Sequence, residues 1–153
     1  MKRSIVDTNL IVLLLSYRNA PHLIGKHRRI RKYDQNLAVK LVELMDDRSV
    51  FLVPVPVVTE ASNLLGDEHQ SMLPGAAQSL QEFCLSDRVE VLSAPSETIL
   101  GTSEYLKFGF ADAGILYLAW KENAEVLTDD FRLAGALRSA GKPTTNLLSE
   151  AFR

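Results

Sequence analysis

The sequence has little of what small proteins use for covalent or metal cross-links. It contains one cysteine, Cys84, and three scattered histidines, His22, His27 and His69. A single cysteine excludes an intramolecular disulfide, and the histidine spacing does not match a Cys/His zinc site. We therefore expect a fold held together by its hydrophobic core, in a reducing cytoplasmic setting.

Long hydrophobic runs and an excess of charge of one sign are also absent. The apolar stretch 5–15 is interrupted by Asp7, Thr8 and Asn9, which leaves too short a run for a membrane span or a signal peptide. A formal net charge of −2 argues against a surface that attracts nucleic acid everywhere. With 153 residues and no low-complexity tract, a single domain over 1–153 is expected.

Positive charge is concentrated in one segment after the first apolar stretch. The segment is formed by Lys26, Arg28, Arg29, Arg31 and Lys32, with Tyr33 adjoining. Such a cluster suits contact with RNA phosphates, so charge reversal of its arginines is expected to weaken RNA binding and its salt dependence. A solvated loop that keeps the protein soluble accounts for the same residues equally well.

Apolar periodicity predicts strands that alternate with one or two helices. The expected strands are 4–6, 50–53, 89–92, 125–128 and 144–147. The expected helices are 10–16 with Thr8 or Asn9 near its cap, 34–47, one after Pro54 and Pro56 ending near Gly66, 72–85, 96–108, 111–123 and 131–140. Because each parallel crossover needs about a dozen residues, this order predicts an α/β fold with helices on both faces of a parallel sheet.

Acidic residues follow the strands at the edge where such sheets usually bind ligands. Asp7 follows the first strand, Glu60 lies in the first turn or so of the next helix, and Asp130, with its neighbour Asp129, follows the fourth strand. Asp112 opens the preceding helix, in line with its apolar stripe. The functional crevice of open α/β sheets lies beyond the carboxyl ends of the strands, so we expect these side chains to meet there.

Crowded carboxylates raise one another's pKa unless a cation compensates their charge. Mg²⁺ and Mn²⁺ favour oxygen ligands, and a bound metal can activate water and neutralise a leaving oxygen. Asp7, Glu60, Asp112 and Asp130 are therefore candidate catalytic metal ligands for phosphodiester hydrolysis. The polar residues expected to orient a ligand or water around them are Asn9, Thr128 and Asp129. Helix capping by the aspartates, and an ordinary exposed helical position for Glu60, is the structural alternative.

The motifs that carry these carboxylates resemble those of the PIN-domain family. This family comprises small Mg²⁺- or Mn²⁺-dependent nucleases and includes the VapC-type toxin ribonucleases. IVDTNLIVLLL resembles the first motif, with Asp7 in the metal-ligand position and Asn9 as the accompanying polar residue. VPVPVVTEASNLL resembles the second motif and makes Glu60 its glutamate.

Two further motifs extend the resemblance over nearly the whole chain. FADAGILYLAW resembles the third motif, with Asp112 as its acidic residue. VLTDDFRLA resembles the Thr-x-Asp pattern of the fourth motif, and that spacing selects Asp130 over Asp129. The segment 18–33 departs from the most compact toxin members because it is longer and basic.

The resemblance implies a three-layer α/β/α fold with a five-stranded parallel sheet, and RNA cleavage by metal-activated water. It also implies a homodimer and, for a type II toxin, a protein antitoxin as partner. A PIN-like module that binds nucleic acid or protein without turnover is the alternative function. A haloacid dehalogenase-like phosphotransferase would need a second aspartate two residues after Asp7, where Asn9 stands.

Overall fold

The computed structural model describes residues 2–26, 30–66 and 75–151. The strands are β1 (Arg3–Val6), β2 (Val50–Pro54), β3 (Val89–Leu92), β4 (Glu125–Thr128) and β5 (Thr144–Asn146). The helices are α1 (Thr8–Asn19), α2 (Gln35–Asp46), α3 (Val55–Leu65), α4 (Ala76–Leu85), α5 (Ser96–Leu100), α6 (Ser103–Phe108), α7 (Phe110–Glu122), α8 (Phe131–Ser139) and α9 (Leu147–Ala151). A short 3₁₀ helix, Pro21–Leu23, follows α1.

The five strands form one parallel sheet in the order β3-β2-β1-β4-β5. β1 lies in the centre, where Ile5 is in register with Leu52 of β2 and with Val126 of β4. Strands that are consecutive in sequence are joined by helical crossovers. The predicted α/β class with a five-stranded parallel sheet between helical layers is confirmed.

The strand order places helices on both faces of this sheet. The chain passes along the sheet in one direction from β1 to β2 to β3, and in the other direction from β3 to β4 to β5. Because crossover connections are right-handed, the helices of these two sets of crossovers lie on opposite faces of the sheet. The contacts agree, because α1 packs with α2, α3 and α4, while α7 packs on β1, β2 and β4. The direction reverses between β1 and β4, which is where ligands bind in doubly wound sheets.

The interrupted apolar stretch forms β1 and α1, which lie at the centre of the core. Ile5 and Val6 are fully buried, and α1 buries residues on every side rather than along one stripe. A helix that is apolar all round belongs in the interior, here beneath α2, α3 and α4. Within the described ranges, no helix is long and apolar enough to cross a lipid bilayer.

Several predicted boundaries were wrong for local reasons. α1 begins at Thr8, two residues before the predicted start at 10, and its cap is the adjacent Asp7, whose carboxylate accepts from the Thr8 N–H. The single helix predicted at 96–108 is two helices, since Thr102 caps a new one and accepts from the Tyr105 N–H. Glu60 lies in the second turn of α3 rather than its first. α4 begins at Ala76, and residues 67–74, which include the predicted start at 72, lie outside the described residues.

An ion-pair network fixes the amino edge of the sheet, opposite the acidic residues. Arg48 is buried, and its guanidinium donates to both Glu125 carboxylate oxygens at 3.1 Å. The Ser4 and Thr145 hydroxyls also donate to Glu125, at 3.3 and 2.5 Å. Since these residues come from β1, β4, β5 and the segment before β2, the network ties neighbouring strands in register.

Candidate functional site

Asp7 lies where β1 ends, and both of its carboxylate oxygens are engaged. Oδ1 accepts the Thr8 N–H at 2.7 Å, and Oδ2 accepts the Thr128 hydroxyl at 2.6 Å. The Thr128 oxygen in turn accepts the backbone N–H of Asp130 at 3.0 Å. Hydrogen bonds therefore join the carboxyl ends of β1 and β4 and hold the Asp7 side chain at the reversal point of the sheet.

Asp130 combines a capping role with a free oxygen. Its Oδ1 accepts the backbone N–H groups of Arg132 and Leu133, at 2.8 and 3.1 Å, and so caps α8. Its Oδ2 has no hydrogen-bond partner among residues 2–26, 30–66 and 75–151. The capping alternative is thus correct for Asp7 and Asp130, but it leaves one Asp130 oxygen available for a ligand.

Asp112 lies at the centre of the acidic group. It occupies the first turn of α7 and is half-buried, and it caps no helix, because Gly109 holds the cap position. Burial, followed by the charges of Asp130, Glu60 and Asp129, raises its pKa to about 6. The charge of Asp112 also acts on Asp7. Asp112 is therefore electrostatically coupled to all three other candidate ligands.

Burial and neighbouring charge likewise raise the pKa of Asp7, to about 7. Desolvation is the main cause, the carboxylates of Asp112 and Asp129 add to it, and the hydrogen bonds from Thr128 and Thr8 oppose it. In the part of the chain that the structure describes, no cationic side chain is among the groups that lower the pKa of Asp7 or Asp112. Negative charge on these two carboxylates is therefore not compensated by a cationic side chain of the described residues.

Glu60 is the most peripheral member of the group. It is exposed on α3, which packs against α7. Its charge contributes to the raised pKa of Asp112. Glu60 thus faces the acidic group from the rim.

Asp129 is held by residues from two other elements. Its carboxylate is buried and accepts the Tyr33 hydroxyl at 2.5 Å and the Asn9 side-chain amide at 3.5 Å. The Lys32 ammonium lies 3.0 Å from Oδ2, the oxygen that also accepts from Tyr33. Burial and the Asp129 charge raise the pKa of Tyr33 far above its ordinary value, so the phenol stays protonated and donates.

The carboxylates are coupled, but they do not form a finished metal cage. Within residues 2–26, 30–66 and 75–151, no group of three or more His, Cys, Asp and Glu side chains is arranged to hold a metal ion. Two cavities of the protein lie elsewhere. One, of about 330 Å³, is lined by residues that precede β2 and β3, such as Met45 and Arg88, and one of about 460 Å³ lies beside Trp120, between α6, α7 and α8.

The basic segment is only partly described. Arg28 and Arg29 lie outside the described residues. Lys26, Arg31 and Lys32 are exposed, and of these three Lys32 has an ion pair with a carboxylate of the acidic edge. Sequence reasoning treated the five cations alike and gave Tyr33 no partner, because a tyrosine beside basic residues carries no signal for a distant aspartate.

Comparisons with known proteins identify the fold. No protein-family model matches the chain, and no curated protein matches it in sequence. The crystal structure of PAE2754 from Pyrobaculum aerophilum is similar, with a TM-score of 0.58 and 17% identity over 99% of this chain and 96% of that chain. At this identity the likeness concerns the fold alone, and it agrees with the three-layer α/β/α architecture.

Proposed function

We propose that this protein is a Mg²⁺- or Mn²⁺-dependent endoribonuclease of the PIN-domain type. The observation that carries the proposal is the coupling of Asp112 to Asp7, Glu60 and Asp130 at the reversal point of a parallel sheet. Burial, and then the charge of neighbouring carboxylates, raises the pKa of Asp7 and of Asp112, and both effects oppose folding when the carboxylates are ionised without a cation. The coupling is therefore best explained by a cation that the folded protein recruits.

The candidate ligands are of the chemical type that a hard divalent ion prefers. Every candidate ligand is a carboxylate, and Mg²⁺ binds through one or two carboxylates while it keeps several waters. Asp112 and the free Oδ2 of Asp130 have no hydrogen-bond partner among the described residues, and they are the primary candidates. Asp7 and the rim residue Glu60 would complete the set. A bound ion of this type supplies a water of lowered pKa and neutralises charge on a leaving oxygen.

Residues of this chain would hold the candidate ligands of the metal site in place. The Thr128 hydroxyl orients Asp7, and it also receives the N–H of Asp130, so one side chain sets the spacing of two candidate ligands. The hydrogen bonds from Asn9 and Tyr33 restrain the Asp129 side chain from rotating toward solvent. These contacts fix the carboxylates in advance, which reduces the reorganisation that ligand binding requires.

The test is RNA cleavage by two charge-removing variants. Asp7→Asn and Asp112→Asn keep the side-chain shape but lose the charge that holds a divalent ion, so we expect loss of cleavage in Mg²⁺ and in Mn²⁺ with an intact circular dichroism spectrum. Asp87→Asn, at an exposed position before β3, is the matched control and should cleave normally. Wild-type cleavage by both site variants would reject the assignment.

The biological setting we propose is that of a toxin with a protein antitoxin that covers the acidic edge, and a homodimer in solution. A small DNA-binding protein encoded in the adjacent reading frame should co-purify with the chain and inhibit its cleavage of RNA. Sedimentation of the purified chain gives the oligomeric state directly.

A PIN-like binding module without turnover is the second candidate. The observation that favours it is the lack, in the described ranges, of a ready group of three metal-ligating side chains. Calorimetric titration with MgCl₂ and MnCl₂ separates the two functions, because a module of this kind needs no divalent ion. Saturable binding that Asp112→Asn removes would favour the nuclease.

A further inference from the structure

Lys32 differs from the other described cations of the basic segment in its position at the acidic edge. Its ammonium lies 3.0 Å from the Asp129 carboxylate and 5.0 Å from the centre of the Tyr33 ring. The Lys32 side chain is 59% exposed, whereas that of Asp129 is 2% exposed. A solvent-exposed cation is thus held at the carboxyl edge of the sheet, where Asp129 acts electrostatically on Asp7 and Asp112.

Asp129 does not depend on Lys32 for its hydrogen bonds. Tyr33 donates to Oδ2 and Asn9 to Oδ1, and both contacts remain if the lysine turns away. The Lys32 ammonium is largely in water, so it can exchange the carboxylate for another anion without being desolvated, while the hydrogen bonds from Tyr33 and Asn9 continue to satisfy the buried carboxylate.

The backbone that carries Lys32 is fixed on both sides. Ile30 and Tyr33 are buried in the core, and the Gly25 N–H donates to the Ile30 carbonyl at 3.1 Å. Gly25 has a φ of +82°, and a β-carbon there would approach the Tyr33 carbonyl to 3.3 Å, so glycine permits this turn. A fixed backbone with a long, exposed, charged side chain suits capture of a ligand at the rim.

A polynucleotide that approaches this edge meets several carboxylates and needs a local cation to hold its phosphates. We infer that Lys32 is a substrate-binding residue that leaves Asp129 to contact an RNA phosphate when the strand enters the crevice. A lysine ammonium acts as a point charge that accepts many phosphate geometries, which suits binding without base specificity. This inference rests on the proposed function in taking RNA as the ligand.

The experiment measures RNA binding apart from cleavage. Binding of a fluorescent single-stranded RNA is followed by anisotropy in EDTA, over a series of salt concentrations, for the wild type, Lys32→Met, Lys32→Arg and Lys2→Met. Lys2 is the matched control, since its half-exposed ammonium lies 3.6 Å from Glu125 at the opposite edge. Cleavage of the same RNA in Mg²⁺ is measured separately for KM and kcat.

We expect Lys32→Met to weaken RNA binding about tenfold, as for loss of one hydrogen bond to a charged group. The slope of log affinity against log salt should become less steep by about 0.7, the change for one phosphate contact on a single strand. KM should rise with little change in kcat. Lys32→Arg should restore most of the binding, and Lys2→Met should behave like the wild type.

The outcomes separate this inference from the nuclease proposal. If the wild type binds and cleaves RNA but Lys32→Met binds as Lys2→Met does, the role of Lys32 is rejected and the nuclease remains. If RNA binding depends on Lys32 but no divalent ion supports cleavage, the role of Lys32 is supported and the nuclease proposal is rejected. A wild-type protein that neither binds RNA in EDTA nor cleaves it in Mg²⁺ or Mn²⁺ overturns both.

Discussion

Replacement of Asp7 by asparagine should change how the stability of the metal-free protein depends on pH. The buried Asp7 carboxyl has a pKa of about 7, against an ordinary value of 3.8. The folded state therefore binds this proton more tightly than the unfolded state does, and folding stability falls as pH rises from about 4 to about 7. Asparagine does not titrate, so the Asp7→Asn variant does not show this fall in stability.

The magnitude follows from the two pKa values of Asp7. Each tenfold difference in proton affinity corresponds to about 1.4 kcal/mol, so the full penalty above pH 7 is roughly 4 kcal/mol. Between pH 5 and 8 the part that develops is roughly 3 kcal/mol. A constant offset of about 1 kcal/mol, from the altered hydrogen bond to Thr128, cancels when each protein is compared with itself at the two pH values.

The assay is urea unfolding of the wild type, Asp7→Asn and Asp87→Asn at pH 5, 6, 7 and 8 in EDTA. The free energy of unfolding of Asp7→Asn relative to the wild type should rise across this range, whereas Asp87→Asn should run parallel to the wild type. Addition of Mg²⁺ at about a hundred times its Kd should return about 2.7 kcal/mol to the wild type and nothing to Asp7→Asn. Parallel pH curves for the wild type and Asp7→Asn in EDTA would refute the argument that this carboxyl is destabilised by burial and neighbouring charge.

Two further predictions concern the amino edge and the pH dependence of metal binding. Arg48→Met should lower the free energy of unfolding by about 3 kcal/mol, because it leaves the Glu125 carboxylate without its bidentate partner, and combination with Glu125→Leu should recover part of the loss in a double-mutant cycle. Mg²⁺ affinity measured by calorimetry should fall as pH decreases through about 7 and then about 6, since protonation of Asp7 and Asp112 competes with the ion, and a constant affinity between pH 5 and 8 would contradict their role as ligands.

The pKa of Glu125 shows why two part-buried or buried carboxylates of one protein need not respond alike to pH. Burial raises the pKa of Glu125, but the hydrogen bonds from Arg48 and Thr145 outweigh it and leave the pKa below its ordinary value. Its contribution to stability is therefore present at neutral pH and lost as pH falls through that lowered pKa. Asp7 has the opposite sign because the described groups around it supply no cation.

The sequence predicted the sheet well because the signal for parallel strands is local. The strands are short and separated by segments of helical periodicity, as shown by the apolar run 50–53, and their order leaves few topologies with right-handed crossovers. Helix ends were less predictable. α1 begins two residues earlier than predicted, with Asp7 as its cap, and the other oxygen of the Asp7 carboxylate accepts the Thr128 hydroxyl from another strand.

The part of the candidate site that the sequence predicted is the part that lies at the ends of strands. Residues at the carboxyl ends of adjacent parallel strands must lie near one another, so the approach of Asp7 to Asp130 follows from topology alone. The contacts of Asp129 do not follow from topology. Asp129 lies in the turn before α8, and its hydrogen-bond partner Tyr33 is 96 positions away in the sequence. No local pattern encodes a partner at that distance.

The different fates of Asp129 and Asp130 follow from the geometry of the turn after β4. Thr128 accepts the backbone N–H of Asp130, whose carboxylate caps α8 and acts on Asp112, while the intervening Asp129 contacts Tyr33, Lys32 and Asn9. Two adjacent aspartates thus perform separate tasks. Asp130 caps α8 with one oxygen and offers the other to a ligand, whereas Asp129 anchors the segment that carries Lys32, and through Lys32 it sets where a positive charge stands beside an acidic edge.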